Sequence, residues 1–251
     1  MRFVVVSLGA PVWDLVRLTR VRRWGAGSGE VGLAVVGSAA DLAVLTAVPG
    51  ERGLGVAPGC PVSAFEAGGG PGDVAVAVRA ALAGAARVLV VSTVVRRGPR
   101  SHRMALSAAL DAAAGAGVLV VAAGAVGAVG AACPVLEHPW VVPVFACGPT
   151  GRPAWFVEWD AEGVDAGGDE VPRGLLAPGQ DVPTAAGRVS GNGVAAVVAG
   201  AAAALVWSLA PGVPASVVRS GLSVGAVSAR RWGPPVLDVE RAWEFVSRGV
   251  A

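Results

Sequence analysis

The side chains able to do chemistry in this chain are few, and their spacing assembles no familiar catalytic set. Histidine is the usual proton acceptor near neutral pH, and only His102 and His138 are present. Cys60, Cys133 and Cys147 form no CxxC pair. With two dispersed histidines they make no metal-ligand cluster, so no metal site is expected. The chain has no Lys, so the Gly-rich stretch Gly68 to Gly72 cannot complete a phosphate-binding P-loop, and no cofactor is expected. The one Asn, Asn192, opens an Ala-rich run that begins Gly191-Asn192-Gly193-Val194. A carboxamide donates and accepts hydrogen bonds but, unlike a hydroxyl, cannot be deprotonated by a base to form an acyl ester. The densest basic patch is Arg96-Arg97-Gly98-Pro99-Arg100-Ser101-His102-Arg103, a grouping suited to carboxylates. Acids gather from Glu158 to Glu170 without the ligand spacing of an EF-hand, which reads as a solvated loop.

The elements that must position these residues follow from the apolar runs. Leu33-Ala34-Val35-Val36, Val88-Leu89-Val90-Val91, Val118-Leu119-Val120-Val121 and Val141-Val142-Pro143-Val144-Phe145 read as strands without alternation. Pro143 implies a bulge or irregular pairing in the last. Helical stretches intervene at Asp73 to Ala83 and Ser101 to Ala114, and others follow at Val194 to Leu209, Pro214 to Gly221 and Val239 to Ser247. Unbroken apolar strands separated by helices of this length predict an α/β three-layer sandwich with a mostly parallel sheet, covered on both faces.

Composition agrees with a full core. The chain has 251 residues, 54% of them hydrophobic and 15% charged, with a formal net charge of +2. Residues 1–251 read as a single domain without a linker. So small a charge gives no ground for nucleic acid as a partner. Absence of Lys, Ile and Tyr reads as codon bias in a GC-rich bacterium. Val118 to Val135 and Val194 to Ala210 are rich in Ala and Gly rather than Leu, which favours burial over a membrane span. The N-terminal apolar run is broken by Pro11, Trp13 and Asp14 before a signal-peptide core forms, so a cytoplasmic location is expected.

Several segments in order resemble the subtilisin-like serine proteases (subtilases). Gly191 to Gly200 is similar to the family's Gly-Thr-Ser-Met-Ala-x-Pro-x-Val-Ala-Gly, with Val198-Ala199-Gly200 shared. Leu33 to Ala39 resembles the first strand, Leu54 to Pro58 the Gly-Val-Ala-Pro turn, Val118 to Gly124 the strand leading to the oxyanion asparagine, and Leu176 to Gly179 the Ala-Pro-Gly turn. Pro214 to Leu222 resembles the helix after the serine. The likeness implies a subtilisin-like fold over most of the chain.

Under the same resemblance the chemistry is replaced. The acid position falls on Gly37, the oxyanion position on Ala125 and the nucleophile on Asn192. The short stretch from Thr46 to Leu54 has no room for the histidine helix. Asp41 has no histidine to orient and reads as a helix cap or loop carboxylate. Ser190 and Ser38 are the serines nearest the vestigial positions. The expectation is therefore a pseudoprotease, not an enzyme, that acts as a peptide- or protein-binding accessory subunit. Its partner would be a peptide or a protein, an active enzyme among the candidates. The alternative is a serine-type peptidase that uses an unrecognised catalytic set. The peptide would lie along Ser92, Thr93 and Val94, against Ala122, Ala123 and Gly124, with acidic residues near Arg96, Arg97 and Arg100. Ala122, Ala123 and Ala125 would line a wall open to a bulky apolar anchor.

Overall fold

The computed structural model describes residues 11–37, 55–125, 133–157, 173–184, 187–226 and 233–249. Apolar runs become β1 (Gly32–Gly37), β3 (Ala86–Val91), β4 (Leu119–Ala123) and β5 (Val142–Cys147). They are joined by β2 (Val62–Glu66) and β6 (Leu175–Pro178). Among the described residues these make one six-stranded sheet, parallel throughout, in the order β2-β1-β3-β4-β5-β6.

Because successive side chains point to opposite faces, each buried strand feeds two cores. Leu33, Val35, Val88, Val90, Leu119 and Val121 face one layer, and Ala34, Val36, Leu89, Val91, Val120 and Ala122 face the other. The second layer holds α3 (Pro71–Leu82), α4 (Arg100–Gly115) and the short α5 (Pro134–Glu137). The first holds α1 (Pro11–Leu15), α2 (Leu18–Val21), α6 (Asn192–Leu209), α7 (Ala215–Gly225) and α8 (Val239–Arg248). This is the three-layer parallel sandwich expected from the sequence.

The helix α6 is long and apolar enough to cross a membrane, yet it is the core helix of the sandwich, buried from Val194 to Trp207. A helix apolar on all sides needs apolar neighbours on all sides. Its small residues let it lie close to the sheet: a Cβ on Gly200 would stand 2.3 Å from Val90 Cγ2. At its far end Trp207 Nε1 donates to the Val213 carbonyl at 3.0 Å, and the Arg87 guanidinium lies 4.0 Å over the indole.

Three elements depart from expectation. β2 went unread because its residues are half or fully exposed at the sheet edge and carry no apolar run. Pro143 introduces no bulge: the register with β4 runs unbroken through Val121↔Val142, Ala122↔Pro143 and Ala123↔Val144. Pairing with β6 begins only at Val144↔Leu175, so the N–H that Pro143 lacks falls where that ladder has not started. Finally, an antiparallel hairpin, β7 (Val182–Thr184) and β8 (Gly187–Val189), leads into α6.

Candidate functional site at the carboxyl edge of the sheet

The strand order places β1 beside both β2 and β3, so the connections leave the ends of β1 and β3 in opposite directions. A crevice outside the carboxyl ends of parallel strands at such a point is the usual ligand position in open α/β sheets. The helices α3, α4 and α6 begin at this edge, each after a strand or hairpin that ends there.

Asn192 is the first residue of α6, and its amide sits between β4 and β5. Its Oδ1 accepts from the Ala146 N–H at 2.8 Å, and its Nδ2 donates to the Gly124 carbonyl at 2.8 Å. The ladder just before this point is intact, with the Gly124 N–H donating to the Val144 carbonyl at 2.7 Å. In a parallel pair the next bond would run from Ala146 N–H to the Gly124 carbonyl. The Asn192 carboxamide is inserted there as a substitute peptide group, with its acceptor toward the donor and its donor toward the acceptor. A serine hydroxyl is too short to meet both. Sequence reading treated Asn192 as a vestigial nucleophile position and missed this role, although the bifunctional amide was the available clue.

Glycines allow the elements to close around this bridge. A Cβ on Gly124 would collide with the Phe145 ring at 2.2 Å. One on Gly179 would lie 2.6 Å from Ala146 Cβ and 2.8 Å from Ala195 Cβ. The Gly191 N–H also donates to the Gly179 carbonyl at 2.8 Å, which ties the entry of α6 to the end of β6.

The remaining expected residues separate into two groups. Gly37 is buried at the end of β1, and its carbonyl accepts from Ala67 N–H at 2.8 Å. Ser92 is 3% exposed, with its N–H and Oγ both donating to the Val36 carbonyl at 2.8 and 3.3 Å, so it is a closing bond of the sheet. Ala122 and Ala123 are fully buried, with side chains in opposite core layers. This corrects the expected open wall: strand alternation turns both methyls into the cores, and only Ala125 is half-exposed. Thr93 and Val94 are half-exposed, and among the described residues their backbones make no hydrogen bond. Arg96, Arg97 and Arg100 project into solvent beside them. The Arg96 N–H donates to the Gly69 carbonyl at 2.8 Å, which lays the Gly68 to Gly70 turn alongside.

Neither histidine stands ready as a base beside Asn192. His138 Nε2 pairs with Asp111 Oδ1 at 3.1 Å, and its Nδ1 accepts from Trp140 N–H at 3.2 Å, so both ring nitrogens are occupied. His102 is exposed in the first turn of α4, with its ring against Gly72. The thiols are no better placed as nucleophiles. All three cysteines are buried and unpaired, and burial pushes the Cys147 thiol up to about 12 and raises Cys133. Ser190 is exposed, and its Oγ accepts from Asp181 N–H at 2.8 Å. Among the described residues no three His, Cys, Asp or Glu side chains group as metal ligands. Ser38, Asp41, residues 46–54 and the acidic residues 158–170 lie outside the described residues.

Comparison with solved structures shows the subtilisin-like fold. The maturation protease PagA, of prenylagaramide, superposes with a TM-score of 0.73 at 20% identity, over 91% of this chain and 98% of that one. The PatG macrocyclase domain gives 0.74 at 18% identity, over 91% and 95%. MycP1 with its N-terminal propeptide removed gives 0.67 at 19%, over 93% and 96%. No family model matches the sequence, and no curated protein matches it. These likenesses correct the expectation that the chain is not an enzyme. That expectation rested on the absence of a catalytic set in the sequence, whereas the frame is shared with proteins named as a maturation protease and a macrocyclase.

Proposed function

We propose that this chain holds an extended peptide at the carboxyl edge of its sheet and does protease-related work on it there. The observation that carries the reading is the backbone of Thr93 and Val94, unpaired among the described residues, next to an edge fixed by the Asn192 bridge. A peptide adding to these residues satisfies donors and acceptors that the described residues leave open, as in β-strand addition. The neighbours' names, maturation protease and macrocyclase, favour cleavage or ligation of the held segment over simple retention. Asn192 cannot form an acyl ester, and its amide is already committed to Gly124 and Ala146. The catalytic set is therefore built from other groups, with the exposed Ser190 hydroxyl the first to test.

The test is incubation of the purified protein with a mixed peptide library, followed by mass spectrometry of the products. New termini or cyclised products that vanish in one serine variant support a serine-type peptidase; Ser190→Ala is the first variant to make. Peptide retention without any product leaves a binding protein. If no peptide is retained or altered, the reading is wrong.

A further inference from the structure

The edge beside Thr93 and Val94 is strongly and one-sidedly charged. Arg96, Arg97 and Arg100 are exposed and Arg103 is half-buried, and among the described residues none of these four guanidinium groups makes an ion pair or hydrogen bond. Several other arginines of the fold are engaged, although the buried Nε and Nη1 of Arg22 are unpartnered among the described residues. Arg17 and Arg20 meet Glu240, Arg219 donates to Trp140 and Pro139, and Arg79 donates to the Ala105 carbonyl. Asp73, in the first turn of α3, is turned onto the Gly68 to Gly70 turn and, among the described residues, pairs with none of the four.

Two of the four, Arg100 and Arg103, sit at the start of α4, where a helix presents partial positive charge. That turn contains no acid, Pro99 supplies no side-chain cap, and the N–H groups of Arg100, Ser101 and His102 are unbonded among the described residues. Helix starts are ordinarily stabilised by acids and caps. Here the chain places cations at an open helix start, which an anion from outside would relieve. A fully extended chain rises about 3.3 Å per residue, so Arg96 stands at most about 10 Å from Thr93.

We propose that the peptide held at this edge is acidic: its backbone pairs with Thr93 and Val94, and its carboxylates are received by Arg96, Arg97, Arg100 and Arg103 at the open start of α4. This rests on the peptide reading and names the substrate class. Fluorescence anisotropy is measured with labelled eight-residue peptides carrying a Glu-rich end, the matching Gln-rich end or the matching Lys-rich end, and with a single-stranded oligonucleotide of equal charge. The acidic peptide binds about tenfold tighter than the Gln peptide at low salt, since three exposed pairs add fractions of a kcal/mol each. The difference shrinks as salt rises. It disappears in Arg96→Gln/Arg97→Gln/Arg100→Gln and survives in the control Arg23→Gln. The charge-reversed Arg96→Glu/Arg97→Glu/Arg100→Glu binds the Lys peptide instead. Thermal melts confirm that each variant folds. Equal binding of Glu and Gln peptides overturns the acidic preference and leaves the peptide reading standing. No binding of any peptide overturns both. Tighter binding of the oligonucleotide than of the acidic peptide assigns the patch to nucleic acid and overturns the proposal.

Discussion

At the scale of single residues, Asn192 is the position whose replacement is most telling. Asn192→Ala removes two bonds and leaves Ala146 N–H and the Gly124 carbonyl, both on buried residues, without partners, at a cost of about 2 kcal/mol in urea unfolding. Asn192→Ser restores at most one of them and gains no activity, because a hydroxyl without a base is not a nucleophile. Asn192→Asp is the least stable near neutral pH, where its carboxylate faces the Gly124 carbonyl oxygen, and recovers in acid, where the protonated group can donate. A second prediction concerns Cys147. Burial raises its thiol from 9.0 to about 12, whereas the unfolded chain ionises from 9.0 upward. The buried neutral thiol therefore adds full stability below pH 9.0, and this is lost progressively between 9.0 and about 12. Cys147→Ala should flatten the dependence of the urea midpoint over that window. Near pH 8 the native protein should react with no thiol reagent, and the unfolded protein at three sites.

At the scale of elements, close approach decides what can change. Gly200 brings α6 against Val90, so Gly200→Ala pushes helix from sheet and costs about 1–3 kcal/mol, measured as a lower urea midpoint. Ala203→Gly, on the same buried helix, costs about 1 kcal/mol through helix propensity without any overlap. The helix α8 offers a different case. Asp238 is 3% exposed, caps it through Arg241 N–H at 3.0 Å, and meets Arg17 Nη1 at 3.3 Å. Asp238→Ala loses both the cap and the partner of Arg17, so a loss of about 2 kcal/mol is expected by the same measurement. Buried elements such as these were legible in the sequence because they repeat apolar residues at a fixed period. The strand β2 and the hairpin before α6 were not, since β2 is held by pairing with β1 and the hairpin by pairing within itself, and neither buries an apolar run.

At the scale of the whole molecule, the sandwich was readable from its strands and helices, whereas the site was readable only in outline. Arg96, Arg97 and Arg100 stand in solvent beside Thr93 and Val94, a neighbourhood that the sequence implied. Ser92, Ala122 and Ala123 are absorbed into the sheet and its two cores, because the end of a parallel strand remains covered on both faces. The Asn192 bridge was unreadable, since it joins residues 46 and 68 positions away that only the assembled layers bring together. That separation also gives the bridge a meaning in time. The strands β4 and β5 can pair before α6 has docked, but the place for their next bond stays open until the helix supplies its amide. The Ala146 amide proton therefore serves as a clock for the last layer. In pulse-labelled refolding it should become protected with the α6 amides and later than those of the β4–β5 ladder, and in Asn192→Ala it should remain open to exchange after the rest of the sheet has closed.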